Sequence, residues 1–213
     1  MSNLLPPVTI VDYGMGNIRS IEAAVRHLGY ESRVSGDRTV ISESEILVLP
    51  GVGSFPAAMK AIKAREIDTG IRDAVASRKS KIMGICLGMQ LLTDFSSEDG
   101  GSPGLGILGG AVERFSRHVA ATLPVPHIGF NSVVAPEGSV LFDGLPPETD
   151  FYFVHSFRMA TGKSSALLAT ATYGEKFVAG FESGNVFGTQ FHPEKSQSNG
   201  LRLLANFLGS ELT

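Results

Sequence analysis

Three side chains in this 213-residue chain have the chemistry to cleave an acyl bond together: the thiol of Cys86, the imidazole of His192 and the carboxylate of Glu194. Cys86 is the single cysteine and stands in Gly84-Ile85-Cys86-Leu87-Gly88. Residues 81–85 read as a short strand, and residues 87–95 (LGMQLLTDF) read as a helix. A nucleophile on a tight strand-to-helix turn needs small neighbours, because the pinched backbone leaves no room for a Cβ. The same turn aims the sulfur at a helix N-terminus, where free N–H groups favour a thiolate. A free cysteine is otherwise a small buried hydrophobe; the glycine bracket points to the reactive thiol.

A nucleophilic thiol needs a base, and the base needs an acceptor that orients it. Of the five histidines, His27 falls in a surface-helix pattern and His118 in a polar loop. His192 follows the strand-like NVFGTQF and precedes Pro193 and Glu194. Proline fixes the local backbone, so His192 and Glu194 can share one rim, with the carboxylate accepting the imidazole N–H. Attack on an acyl carbon also calls for oxyanion donors. Pro50-Gly51-Val52-Gly53 directly follows the strand 46–49, and the N–H of Leu87 is the natural second donor. The bland alternative is a glycine turn that only reverses the chain.

These residues need a frame. Strands at 8–13, 31–35, 46–49 and 81–85 alternate with helices at 17–28, 55–64 and 69–78, which predicts a mostly parallel sheet with helices on both faces. After residue 95 the pattern becomes strand-rich, with runs at 111–115, 127–134, 151–157, 166–173, 177–182 and 186–191, and a closing amphipathic helix at about 198–208. No linker or repeat interrupts it, so residues 1–213 read as one α/β domain.

Composition narrows the function. A hydrophobic content of 43% and a net charge of −3 describe an ordinary globule with no electrostatic reason to bind nucleic acid or a membrane. One cysteine excludes an internal disulfide framework and suits a reducing, cytoplasmic setting. Gly14-Met15-Gly16 lacks the third glycine of a dinucleotide fingerprint, since Arg19 stands there, and Gly51-Val52-Gly53 has Pro56 in that place. Neither phosphate binding nor a metal or other cofactor is expected.

Taken together, GICLGMQ, PGVGSF, VHSF and QFHPEKSQ resemble the class I, triad-type glutamine amidotransferases. DYGMGN, LPGVGSF, PHIGFN, YFVHSF and HPEKSQSNGLRLLANF narrow the likeness to the amidotransferase subunits of imidazole glycerol phosphate synthases. The matches run in order from about residue 8 to 208. The resemblance implies a flavodoxin-like sheet and a triad of Cys86, His192 and Glu194. It implies oxyanion donors at Gly51, Val52 and Leu87, and glutamine contacts at Gln90, Glu98, His155, Ser156 and Phe157. It also implies a heterodimer with a (β/α)₈-barrel cyclase subunit of the histidine pathway. That partner would receive the ammonia, across a contact region including Asn17, Phe130, Tyr152 and Lys195.

Two positions depart from the family pattern. Phe130 stands where Trp is usual, and Phe157 where Tyr is usual. Phenylalanine lacks the indole N–H and offers a weaker cation–π face, so interface contacts there are expected to be rearranged. The glycines flanking Val52 make a peptide flip sterically cheap, which predicts slow glutamine hydrolysis alone and faster hydrolysis beside a loaded partner. Competing readings are an amidotransferase feeding another synthase, a cysteine peptidase or esterase on the same elbow, and a silent scaffold. DYGMGN and PHIGFN argue against the first, a glutamine-sized polar pocket against the second, and a complete triad against the third.

Overall fold

The computed structural model describes residues 5–77, 79–160 and 165–211. The first half contains β1 (Val8–Val11), α1 (Ile18–His27), β2 (Ser32–Ser35), α2 (Arg38–Ser42), β3 (Ile46–Leu49), α3 (Phe55–Ala64), α4 (Ile67–Ala76), β4 (Lys81–Ile85) and α5 (Leu87–Leu91). There follow β5 (Phe95–Ser96), β6 (Ser102–Pro103), β7 (Ala111–Arg114), α6 (Arg117–Thr122), β8 (His127–Val134), β9 (Glu148–His155) and β10 (Phe157–Ala160). The chain then forms β11 (Leu167–Tyr173), β12 (Glu175–Ser183), β13 (Val186–Thr189) and α7 (Gln197–Gly209).

Strands β2-β1-β3-β4-β13 are parallel neighbours in that order, the doubly wound order of flavodoxin-like sheets. β1, β3, β4 and β13 are buried at every residue, so they read as continuous apolar runs and not as alternating ones. Beyond β13 the sheet turns antiparallel through β12, which carries β10 on one path and the β11-β8-β9 ribbon on another. α1 and α7 bury Ile21, Val25, Leu203 and Phe207 on one face, with an aromatic cluster that includes Phe151, Phe153, Phe177 and Phe191. α3, α4 and α5 cover the other face through Phe55, Met59, Ile62, Ile71, Leu87 and Met89.

Three local expectations need correction. The helix expected over 87–95 stops at Leu91. The N–H groups of Leu105, Gly106, Ile107 and Leu108 take the carbonyls of Leu91, Thr93 and Leu92, and the chain leaves as β5. His118 lies exposed on the short helix α6, capped by the Ser116 hydroxyl, and not in a loop. The strand expected over 151–157 breaks at Ser156 into β9 and β10. The helix expected to end at Arg78 is described to Ala76, and Arg78 lies outside the described residues.

Candidate active site

The site sits at the carboxyl ends of the parallel strands, where β1, β3, β4 and β13 each deliver one segment. Cys86 follows β4 with φ 53° and ψ −111°, a conformation unusual for a residue with a side chain. Its N–H donates to the Thr189 carbonyl at 2.7 Å, anchoring the turn to β13. The bracketing glycines serve close approach: a Cβ on Gly84 would lie 2.6 Å from the Met89 nitrogen, and one on Gly88 would overlap the Leu49 carbonyl. The strain therefore sits on the cysteine itself, and the glycines make room for it. The Cys86 thiol donates to the Val154 carbonyl at 3.8 Å.

His192 leaves β13 in a well-held loop. Its N–H donates to the Tyr152 carbonyl at 2.9 Å, and the Ser196 hydroxyl donates to its carbonyl at 2.7 Å. Nδ1 lies 2.8 Å from Glu194 Oε1, and both side chains are buried. Nε2, on the cysteine side of the ring, has no hydrogen bond of ordinary geometry among the described residues. Burial pulls the imidazole down, but the Cys86 sulfur and the Glu194 carboxylate outweigh it and hold the ring up at about 9.

A cavity of about 340 Å³ opens beside Cys86, lined by Val52, Leu87, Gln90, Glu98, His155, Ser156, Phe157 and His192 among others. All five residues expected to contact substrate therefore meet at one place, although they come from α5, the 98–100 turn and the β9–β10 junction. Gln90 is buried, its amide nitrogen donating to the Phe157 carbonyl at 2.9 Å and to Gln190 Oε1 at 2.8 Å. Glu98 accepts the Phe55 N–H through Oε2 at 2.9 Å, so this carboxylate also caps α3. Gly51 lies behind the cavity wall, where a Cβ would come 2.7 Å from the Gly88 nitrogen and from the Leu87 Cβ. Gly53 has φ 104°, so of the two flanking glycines it is this one whose backbone angle favours glycine.

Three residues that motif reading passed over belong to the same construction. Tyr13, after β1, donates its hydroxyl to the Pro50 carbonyl at 2.8 Å and pins the start of the 50–53 segment. Burial, then the neighbouring cysteine, push its phenol well up from the ordinary value. His127 faces His155 across 3.0 Å between Nδ1 and Nε2, and His155 Nδ1 lies 2.8 Å from the Phe157 carbonyl. A carbonyl only accepts, so His155 carries its proton on Nδ1 and His127 donates to Nε2. Burial lowers His127 to about 4 and His155 to about 3. Gln190, fully buried, donates from Nε2 to the Cys86 sulfur at 3.7 Å. Its signal was already in QFHPEKSQ, two residues before His192.

The expected contact residues spread over an adjoining surface. Phe130 is 51% exposed beside Ile128 at 59%, and its ring meets that of Tyr152 edge-on at 5.6 Å. Lys195 Nζ stands 5.9 Å over the Tyr152 ring, a cation–π contact made within this chain. Asn17 precedes α1 and accepts from the Ser20 hydroxyl at 3.0 Å, without capping the helix by its side chain. Among the described residues, no three His, Cys, Asp or Glu side chains cluster as metal ligands, and no helix is long and apolar enough to cross a membrane.

The family model for glutamine amidotransferase class-I matches residues 9–210. The chain belongs to the class I glutamine amidotransferases. It is 43% identical over 201 residues to the imidazole glycerol phosphate synthase subunit HisH of Moorella thermoacetica, covering 94% of this chain and 93% of the relative. The corresponding subunit of Rhodopirellula baltica is 44% identical, with 94% and 96% covered. Among solved structures, a glutamine amidotransferase aligns with a TM-score of 0.73 at 21% identity, over 94% of this chain and 96% of that one. PurLQS from Thermotoga maritima aligns with a TM-score of 0.71 at 22% identity, over 95% and 97%. At those identities the structures speak for the fold, which is the class I amidotransferase α/β fold expected of this family.

Proposed function

We propose that this class I amidotransferase is the glutamine-hydrolysing subunit of an imidazole glycerol phosphate synthase. The observation that carries the reading is a thiol on a strained turn beside a His–Glu pair, opening into a cavity that Gln90 and Glu98 also line. The identity to HisH subunits over nearly the whole chain supports the choice of synthase.

In this mechanism the Cys86 sulfur attacks the side-chain amide carbon of glutamine. The carbonyl oxygen becomes an oxyanion, met by backbone N–H groups of the Gly51–Val52 segment and Leu87. The protonated His192, oriented by Glu194, gives its proton to the leaving nitrogen, and ammonia departs from a γ-glutamyl thioester. Neutral His192 then takes a proton from water as it attacks the thioester, and glutamate leaves. One water is consumed for each glutamine converted to glutamate and ammonia. Gln90, Glu98 and the 155–157 backbone hold the amino-acid end of the substrate, the carboxylate suiting an α-ammonium.

Ammonia released into solvent would be lost to synthesis, so the account includes a cyclase subunit of (β/α)₈-barrel form, in a cytoplasmic heterodimer of the histidine pathway. Its contact surface is Phe130, Tyr152 and Lys195 with Asn17. In favour of this, the Tyr152 carbonyl accepts the His192 N–H, so the strand that carries part of this surface is tied by its backbone to the triad histidine. The test is glutamine labelled with ¹⁵N in its side-chain amide, supplied to the chain and a cyclase subunit in excess unlabelled ammonium. Label in the imidazole product well above the bulk ammonium ratio is expected; label diluted to that ratio contradicts the account. Hydrolysis is also expected to be slower for the chain alone than beside a substrate-loaded cyclase, and equal rates count against a flip of the Val52 segment.

A further inference from the structure

The orientation of Gln190 follows from a chain of hydrogen bonds that starts at a backbone atom. The Phe157 carbonyl only accepts, so the Gln90 atom 2.9 Å away from it is the amide nitrogen. The other hydrogen of that nitrogen points to Gln190, 2.8 Å away, so the facing Gln190 atom is oxygen. The Gln190 amide nitrogen is then the atom 3.7 Å from the Cys86 sulfur. His155 holds the origin of the chain from a second side, because its Nδ1–H also donates to the Phe157 carbonyl at 2.8 Å. Both amide hydrogens of Gln90 are thereby used, which leaves its oxygen as the amide atom free for a ligand in the cavity.

We propose that Gln190 is a further catalytic residue with two connected roles. Its N–H donates to the sulfur of Cys86, favouring the thiolate, and its oxygen locks Gln90 so that Gln90 meets substrate only as an acceptor. An amide free to turn would accept or donate; this one selects an N–H donor, such as the ammonium of a free amino acid. Full burial sharpens both roles, since no water competes for either end of the Gln190 amide. The inference rests on the glutaminase reading for its substrate, but the contact with sulfur stands apart from it.

The experiment uses the full chain, in which iodoacetamide reads Cys86 alone because there is no other thiol. Gln190→Met keeps the approximate volume and removes both polar ends. Alkylation at pH 7 is expected to slow by about tenfold, the scale of one lost hydrogen bond to a charged group. With the cyclase subunit present, KM for glutamine is expected to rise as well, because Gln90 is released. Gln90→Met makes no direct change at sulfur, yet it is expected to slow alkylation by unlocking Gln190. The two substitutions combined are then less than multiplicative, the signature of coupled residues. Should Gln190→Met not fold, the Gln90→Met alkylation rate decides the matter. Wild-type alkylation rates and KM in folded variants overturn the proposal and leave the glutaminase reading intact. A wild-type chain that hydrolyses no glutamine, with alkylation still dependent on Gln190, overturns the glutaminase reading and leaves the sulfur contact standing.

Discussion

Gly88 on α5 and Leu49 at the end of β3 are packed backbone to backbone, so closely that a Cβ on Gly88 would overlap the Leu49 carbonyl oxygen. This contact sets the nucleophile turn directly against the strand that runs into Pro50, Gly51 and Val52. In the proposed mechanism these two parts act on one carbonyl group, and main chain holds them together, where side-chain rotation cannot loosen them.

Gly88→Ala is therefore expected to disrupt the site even though the change is a single methyl group. Overpacking against backbone of this kind costs about 3 kcal/mol. Chemical denaturation measures the loss, and glutaminase activity is expected to fall further than stability, because any relief moves the oxyanion segment away from Cys86.

Glu194 is expected to control the alkaline limit of the reaction. His192 is held at about 9 by Cys86 and Glu194 against the lowering effect of burial. Glu194→Gln removes one of the two raising interactions, so the imidazole loses its proton at lower pH. The alkaline limb of the kcat/KM profile is expected to move to lower pH, with a rate loss of about 10²-fold or more at the optimum. A profile that keeps its alkaline limb in place contradicts the assigned partnership.

The buried His127–His155 pair predicts acid sensitivity. Both rings titrate lower in the fold, at about 4 and about 3, than the 6.5 of an exposed histidine. The unfolded chain therefore binds protons that the native state does not, and their contribution to stability, complete above pH 6.5, declines as pH falls toward those values. Thermal unfolding scans from pH 7 to pH 4 are expected to show a falling midpoint. A chain with both His127→Phe and His155→Phe is expected to fall less steeply over that interval.

Lys81 makes a different kind of stability claim. It is buried within β4, and its ammonium donates to the carbonyls of Leu208 and Ser210, closing the C-terminal end of α7. Lys81→Met leaves those carbonyls without that donor and is expected to cost about 1–3 kcal/mol in denaturation midpoints. Burial lowers Lys81 from 10.5 to about 8, so between those values the unfolded chain holds the extra proton and stability from this site rises with pH.

What could be read in the sequence was what local rules enforce. The apolar runs of β1, β3 and β4, the glycines around Cys86 and the proline after His192 each carry their reason within a few residues. Tyr13, His127 and Gln190 do not. Their partners lie 37, 28 and 104 positions away, at Pro50, His155 and Cys86, so the sequence does not give these contacts, even for Gln190, which stands inside QFHPEKSQ. The shortened α5 has the same origin. Residues 87–95 favour helix, but the 104–108 segment takes the carbonyls that would have continued to serve it. Glu98 was legible as a pocket residue, whereas its bond to the Phe55 N–H depended on the fold.

The most direct measurement of the central claim compares two nitrogen sources for Cys86→Ala in complex with its cyclase subunit. The substitution removes the sulfur and leaves the surface of Phe130, Tyr152 and Lys195 in place. Synthesis from glutamine is expected to vanish while synthesis from ammonium salts continues at nearly the wild-type rate. Loss of both activities, or glutamine-dependent synthesis that survives without the thiol, contradicts the account.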